Sequence, residues 1–212
     1  MTSEEISKIL LEIKSIFLRP DKPFIWASGI KSPIYCDNRL ILSYPEIRSK
    51  IEAAFAELIN KNFPECEVVA GTSTAGIPHA AYVSEILNLP MIYVRNTEKF
   101  HGRKNIIEGK IEPGQNVVVI EDLISTGGSS IKVAKILKKA NMEVLGVVSI
   151  FNYNMKNSIQ NFKTNEIKFV SLTTLDILLK VAIEQNFIND LGFRKLKIFQ
   201  DNPENSKWIE IT

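Results

Sequence analysis

Cysteine is scarce: Cys36 and Cys66 are the only two among 212 residues. Two isolated thiols supply neither a disulfide framework nor a metal cluster, and they fit a reducing compartment. Long apolar runs are missing as well, so no stretch is expected to span a bilayer. Charge of one sign is not in excess either, with 26 Lys and Arg against 24 Asp and Glu for a net +2. That balance predicts no general affinity for nucleic acid or an anionic membrane. The start, Met1-Thr2-Ser3-Glu4-Glu5, is acidic and runs into an amphipathic pattern, unlike a signal peptide, so a cytoplasmic protein is expected. Two phosphate-binding fingerprints are absent too. No Gly-Lys-Ser/Thr follows a glycine loop at Walker A spacing, and no Gly-x-Gly-x-x-Gly opens a helix, which argues against nucleoside triphosphate hydrolysis and dinucleotide binding.

What is present is ordinary in bulk and specific in detail. Hydrophobic residues make up 45% and charged residues 24%, enough for one sizeable domain over residues 1–212. No internal repeat or linker divides it. The chain is organised around Val117-Val118-Val119-Ile120-Glu121-Asp122-Leu123-Ile124-Ser125-Thr126-Gly127-Gly128-Ser129. Four apolar β-branched residues predict a strand buried on both faces. Two acids stand where it ends, and Ile131, Ala134 and Leu137 then repeat at helical spacing. A strand, a small-residue turn and a helix start together make an anion cradle, because N–H groups and the helix dipole converge there. Glycines at 127 and 128 let the backbone approach a phosphate. Glu121 and Asp122 would repel that phosphate; their natural partners are neutral hydroxyls, such as a ribose cis-diol, or a divalent cation.

The rest of the chain alternates strand and helix signals. A capping box at Thr2 and Glu5 opens a helix through Ile6, Ile9, Leu10, Ile13 and Phe17, ended by Pro20. Residues 24–36 read as a hairpin-like flap whose aromatics suit a flat heterocycle, with Lys31 available to an anion. A helix capped at Ser43 follows, then the strand Val68–Ala70 and a second small-residue turn, Gly71-Thr72-Ser73-Thr74-Ala75-Gly76. His79, just inside the next helix, reads as structural. After the strand Met91–Val94 comes a polar loop from Arg95 to Asn105, in which Arg95, Lys99, His101, Arg103 and Lys104 face one acid, Glu98. Such a loop is either a solvated surface segment or a clamp for a polyanion. The strand Val144–Ile150, an Asn-rich surface segment, a strand at Ile167–Val170 and a helix from Leu175 complete the pattern. No chemical signal is legible in the tail. The expected fold is α/β, a mostly parallel sheet flanked by helices.

The central motif resembles the 5-phosphoribosyl-1-diphosphate (PRPP) site of the type I phosphoribosyltransferases. Phe24-x-x-x-Ser28-Gly29-x-Lys31-Ser32-Pro33-x-Tyr35 is similar to the N-terminal signature of the orotate phosphoribosyltransferases. Arg95-x-x-x-Lys99-x-His101-Gly102-Arg103, followed by Ile107-Glu108-Gly109, resembles their catalytic loop. The resemblance implies transfer of ribose 5-phosphate from PRPP to orotate, giving orotidine 5′-monophosphate and diphosphate in pyrimidine (UMP) biosynthesis. It further implies the type I fold with residues 1–40 as a hood over the base, Mg²⁺ as cofactor, and a homodimer with shared active sites.

By the same resemblance Glu121 and Asp122 meet the ribose hydroxyls, and Leu123, Ile124, Ser125, Thr126, Gly127, Gly128 and Ser129 carry the 5′-phosphate side. Magnesium is expected near the two acids through the substrate. The turn at Gly71 contacts diphosphate. Ser125, Lys31 and Tyr35 are the implied orotate contacts. Arg95, Lys99 and His101 are the implied catalytic residues, and Arg103 grips PRPP with them. Three departures stand out. Asn96 replaces a lysine found in many relatives and Ala27 one found in some, and Asn152-Tyr153 stands where some carry an orotate-binding arginine. A purine-type enzyme is disfavoured by the flap signature. A PRPP-sensing regulator is disfavoured by the near-neutral charge and by retention of Lys99 and His101.

Overall fold

A computed structural model of the chain describes residues 1–26, 29–95 and 106–211. Helix α1 (Ser3–Glu12) starts on the expected capping box, with the Thr2 hydroxyl accepting from Glu5 N and the Glu5 carboxylate accepting from Thr2 N at 2.8 Å. Its apolar spacing predicts a helix reaching Phe17, but the helix stops at Glu12. Lys14 takes a left-handed φ of 57°, and Ile16–Leu18 forms strand β1. Tertiary pairing outweighs periodicity here, because β1 is needed as the partner of a later strand. The flap is accordingly two small ribbons and not one hairpin. Strand β2 (Phe24–Ile25) pairs antiparallel with β3 (Lys31–Ser32), and β4 (Ile34–Cys36) pairs antiparallel with β1. The Arg19 guanidinium lies 5.0 Å above the Phe24 ring and ties the two together. A 3₁₀ turn, Asn38–Ser43, leads into helix α2 (Pro45–Asn62). Pro45 fills its first turn and Tyr44, in place of Ser43, precedes it without a side-chain cap.

The sheet follows. Strand β5 (Val68–Thr72) runs into helix α3 (Gly76–Leu87), and β6 (Met91–Val94) lies parallel beside β5. Short β7 (Ile107–Glu108) closes that edge antiparallel. Strand β8 (Asn116–Ile124) pairs parallel with β5 and feeds helix α4 (Gly128–Lys139). Strand β9 (Glu143–Asn152) pairs parallel with β8. The Asn-rich stretch folds as helix α5 (Lys156–Thr164), which buries Ser158 and Phe162 one turn apart. Strand β10 (Phe169–Thr174) completes the order β10-β9-β8-β5-β6-β7, and helix α6 (Leu175–Glu184) covers it. The tail forms helix α7 (Asp190–Asp201), capped by the Asn189 side chain, and a 3₁₀ turn at Ser206–Ile209.

Alternate residues of β8 serve two cores. Val118 and Ile120 pack in one cluster with Phe55 and Leu179, while Val117 and Val119 face Ala134 and Leu137 in the other. All four are fully buried. Each contributes roughly 1.5–3 kcal/mol relative to exposure. Covered on both sides, β8 is held rigidly, and so is whatever its end presents.

Candidate active site

The parallel strands end on one rim. Gly71 stands beside Ile120, Thr72 beside Val94, and Ile124 beside Asn152. In open α/β sheets ligands bind in the crevice beyond such carboxyl ends. Ser125–Ser129 curls there into the start of α4. Gly127 is the N-cap, with a left-handed φ of 79°. A Cβ on it would lie 2.5 Å from the Phe162 ring of α5, so only glycine fits. Gly128 has room for a Cβ, the nearest atom being Thr126 Oγ1 at 3.7 Å. Asn161 Nδ2 donates to Thr126 O at 3.0 Å and braces the turn from outside. Among the described residues no side chain caps α4. The N–H groups of its first turn, which have no intrahelical acceptors, therefore face the crevice with the positive end of the dipole. This is a seat for a phosphate-sized anion.

The two acids differ in their surroundings. Glu121 is 4% exposed and bound into α4: Ser129 Oγ donates to its Oε2 at 2.8 Å, Ser130 Oγ to the same oxygen at 3.2 Å, and Asp122 N to Oε1 at 3.2 Å. Asp122 is half-buried, and its carbonyl accepts from Asn38 Nδ2 at 2.8 Å. Asn38 is itself fixed by Ser15 Oγ at 2.7 Å, so the flap's end is tied to the acid pair. Ser130 and Asn38 escaped the sequence reading. Ser130 sits one residue past the motif, and Asn38 lies 84 positions from its partner.

Burial, and then the charge of Asp122, push the Glu121 carboxyl up to about 8. Burial raises Asp122 too, opposed by its hydrogen bond with Glu121 and the nearby His79. A carboxyl that keeps its proton longer when folded than when unfolded makes the unfolded state the better acid. Stability contributed by Glu121 is therefore complete below about pH 4.5 and falls as pH rises towards 8, by on the order of a few kcal/mol. Glu121→Gln is expected to flatten that fall in urea midpoints measured from pH 5 to 8. An unchanged slope would show that Glu121 ionises normally.

The second turn, 73–76, lies beside the acids. Ser73 Oγ donates to Val94 O at 2.6 Å, and Gly76 packs directly on β8. At the foot of the polar loop, Arg95 N donates to Ile106 O at 2.9 Å and its guanidinium is 3.6 Å from Glu108. Lys99, His101 and Arg103 lie outside the described residues, as do Ala27, Ser28 and Asn96. In the flap Tyr35 is 41% exposed and rests on Phe24 with ring centroids 5.5 Å apart, while Lys31 is exposed. Neither shares the hydrogen-bond network of the cradle. Strand alternation sends Cys36 inward instead, beside Asp122. Burial and the charges of Asp122 and Asp37 raise its thiol well above the ordinary range, so it is no nucleophile.

The tail also reaches the site. Trp26 meets Tyr153 and Phe199 edge-on, at 5.8 and 5.6 Å, and Phe199 meets Trp208 at 5.9 Å. Gln200 Nε2 donates to Tyr153 O at 2.8 Å. A cavity of about 340 Å³ opens between Trp26, Ser125, Thr126, Met155 and Asn202. The aromatic spacing in the tail offered no periodic signal by which sequence reading would find it.

Comparison with known proteins agrees with this geometry. Residues 39–177 match the phosphoribosyl transferase domain family. The chain is 52% identical over 202 residues to orotate phosphoribosyltransferase of Listeria monocytogenes serotype 4b, covering 95% of this chain and 97% of that protein. It is 51% identical over 205 residues to orotate phosphoribosyltransferase of Bacillus subtilis, covering 97% and 95%. The crystal structure of orotate phosphoribosyltransferase from Aeropyrum pernix superposes with a TM-score of 0.70 at 25% identity, covering 82% of this chain and 97% of that one. The strand-bound acids, the phosphate-sized turn and near full-length identity converge, and the chain belongs to the phosphoribosyl transferase family, in its orotate phosphoribosyltransferase branch.

Proposed function

We propose that the chain transfers ribose 5-phosphate from PRPP to N1 of orotate, releasing diphosphate and forming orotidine 5′-monophosphate for UMP synthesis. The carrying observation is the union, on one strand–turn–helix, of an uncapped α4 start and an acid pair held at its mouth. The 5′-phosphate sits on the turn from Ser125 to Ser129, with Leu123 and Ile124 leading into it. Asp122 and Glu121 face the ribose hydroxyls, Glu121 through a carboxylate already oriented by Ser129 and Ser130.

Bond breaking at the anomeric carbon runs ahead of bond making, so positive charge grows on the sugar as diphosphate gains negative charge. Lys99, Arg95 and Arg103 neutralise the leaving group in a site closed to water, and His101 donates a hydrogen bond to it. Ser125 takes one edge of orotate, and Lys31 and Tyr35 are the flap's contributions to the base side. The donor set near the cradle fits a magnesium ion carried by substrate. Asp122 and Glu121 offer hard oxygens beside the cradle. Magnesium bound there would supply positive charge to the departing diphosphate.

The half-exposed apolar residues Leu40, Tyr44, Tyr82 and Ile86 on or beside α2 and α3 support a homodimer; that the Arg95–Asn105 loop serves a neighbouring site within it follows from the family resemblance. Unpaired Cys36 and Cys66 support a reducing, cytoplasmic location. Among the described residues no helix is long and apolar enough to cross a membrane. We read residues 1–212 as one domain with residues 1–40 as its hood. The test is spectrophotometric: orotate absorbance should fall only when PRPP and Mg²⁺ are both present. No turnover, or turnover of a purine in preference, overturns the assignment.

A further inference from the structure

Beneath the site lies a polar pair that the chemistry above does not use. His79, in the first turn of α3, and Glu52, in the middle of α2, meet through Nδ1 and Oε1 at 2.6 Å. Both are buried, at 0% and 1% exposure. Glu52 Oε2 and His79 Nε2 have no hydrogen-bond partner among the described residues. Burial raises the Glu52 carboxyl, against the pull of His79 and Arg48. An arrangement of this kind is costly. Each unpartnered buried polar atom carries an uncompensated desolvation cost, and replacing a buried pair by apolar residues of similar volume is often neutral or stabilising. A core that merely needed filling has no use for it.

Its position suggests what the cost supports. Two glycines clamp the β5–α3 connection. A Cβ on Gly71 would lie 2.9 Å from Ile77 Cα, and one on Gly76 would lie 2.4 Å from Ile120 O and 3.5 Å from Glu121 Cα. The first turn of α3 thus lies directly against the backbone that carries the acid pair. Apolar packing against α2 sets the distance of α3 but tolerates sliding and rotation. A short hydrogen bond at the level of His79 fixes both, and Phe55 at 6.2 Å from the imidazole holds the ring's plane. Arg48 over Tyr82 at 4.5 Å makes a second α2–α3 tie, about one turn back along α2 and one turn on along α3.

We propose that Glu52 and His79 are positioning residues for PRPP. Their hydrogen bond locks the register of α3 on α2, and with it the 73–76 turn relative to Glu121 and Asp122. The proposal rests on the reading of that turn as the diphosphate side of the site. Its test compares Glu52→Gln, Glu52→Leu and the double variant Glu52→Leu/His79→Leu in the orotate assay, with urea midpoints measured in parallel. Glu52→Gln keeps an acceptor for Nδ1 and is expected to hold KM for PRPP within about twofold. Glu52→Leu and the double variant should raise KM for PRPP about tenfold and leave KM for orotate unchanged, although the double variant is at least as stable as wild type. A stable double variant with wild-type KM for PRPP overturns the proposal. So does a parallel rise in both KM values that tracks lost stability. If the double variant does not fold, the contrast between Gln and Leu at position 52 decides the matter alone, and equal KM values there refute it. Absence of turnover by the wild type would instead refute the underlying function.

Discussion

Lys99→Ala is expected to lower kcat by about 10²–10³-fold while the protein folds normally. Diphosphate departs with growing charge, and in the proposed role the Lys99 cation would stabilise that charge more in the transition state than in bound PRPP. The loss should therefore appear in kcat and much less in KM for PRPP. Single-turnover kinetics with orotate in excess separates this from slow product release. A variant as fast as wild type would remove Lys99 from its role. The same variant tests sharing between subunits. If the loop acts on a neighbour's site, mixing Lys99→Ala with Asp122→Asn, each nearly inactive, should restore up to about a quarter of wild-type activity, because one of the two sites in a mixed dimer is intact. No recovery after subunit exchange would place loop and cradle of one active site on the same chain.

Gly76→Ala is expected to have the largest structural effect of any single methyl addition at the site. The new Cβ would meet Ile120 O at 2.4 Å and Ile120 C at 3.3 Å, both backbone atoms of a fully buried residue of β8. Neither can swing aside as a side chain would, so α3 must lift from β8. Overpacking of this sort costs about 1–3 kcal/mol and sometimes more, and the upper end applies where backbone meets backbone. Urea unfolding gives the value directly. Gly128→Ala is the contrast: its Cβ has ordinary space, alanine suits a helix start, and stability should stay within about 1 kcal/mol of wild type. Equal losses at the two positions would show that crowding at Gly76 is relieved by movement that costs little.

How much of this was legible in the sequence depended on whether a feature was local. Strand β8, its turn and α4 were readable because apolar β-branched residues, small residues and a helical repeat follow one another without interruption. The first helix was overextended because Phe17 continues its spacing, and nothing local reveals that Ile16–Leu18 must pair with Ile34–Cys36. Helix α5 was hidden by Asn157, Asn161 and Asn165, poor helix formers whose cost is repaid only when Phe162 packs against Gly127. Glu52 and His79 are 27 positions apart on different helices, and Asn38 is joined to β8 only in the fold. Such pairs carry no spacing signature. The two glycines of the cradle looked equivalent on paper, and only Gly127 proved conformationally required.

The indole of Trp26 has a wider bearing. Because it is wedged between Tyr153 and Phe199, and Phe199 leans on Trp208, the flap that carries it shares its melting with α7 and the turn beyond it at the other end of the chain. If residues 1–40 roof the base as proposed, loosening α7 would slacken that roof before the cradle on β8 and α4, and discrimination among bases would fall before affinity for the sugar phosphate.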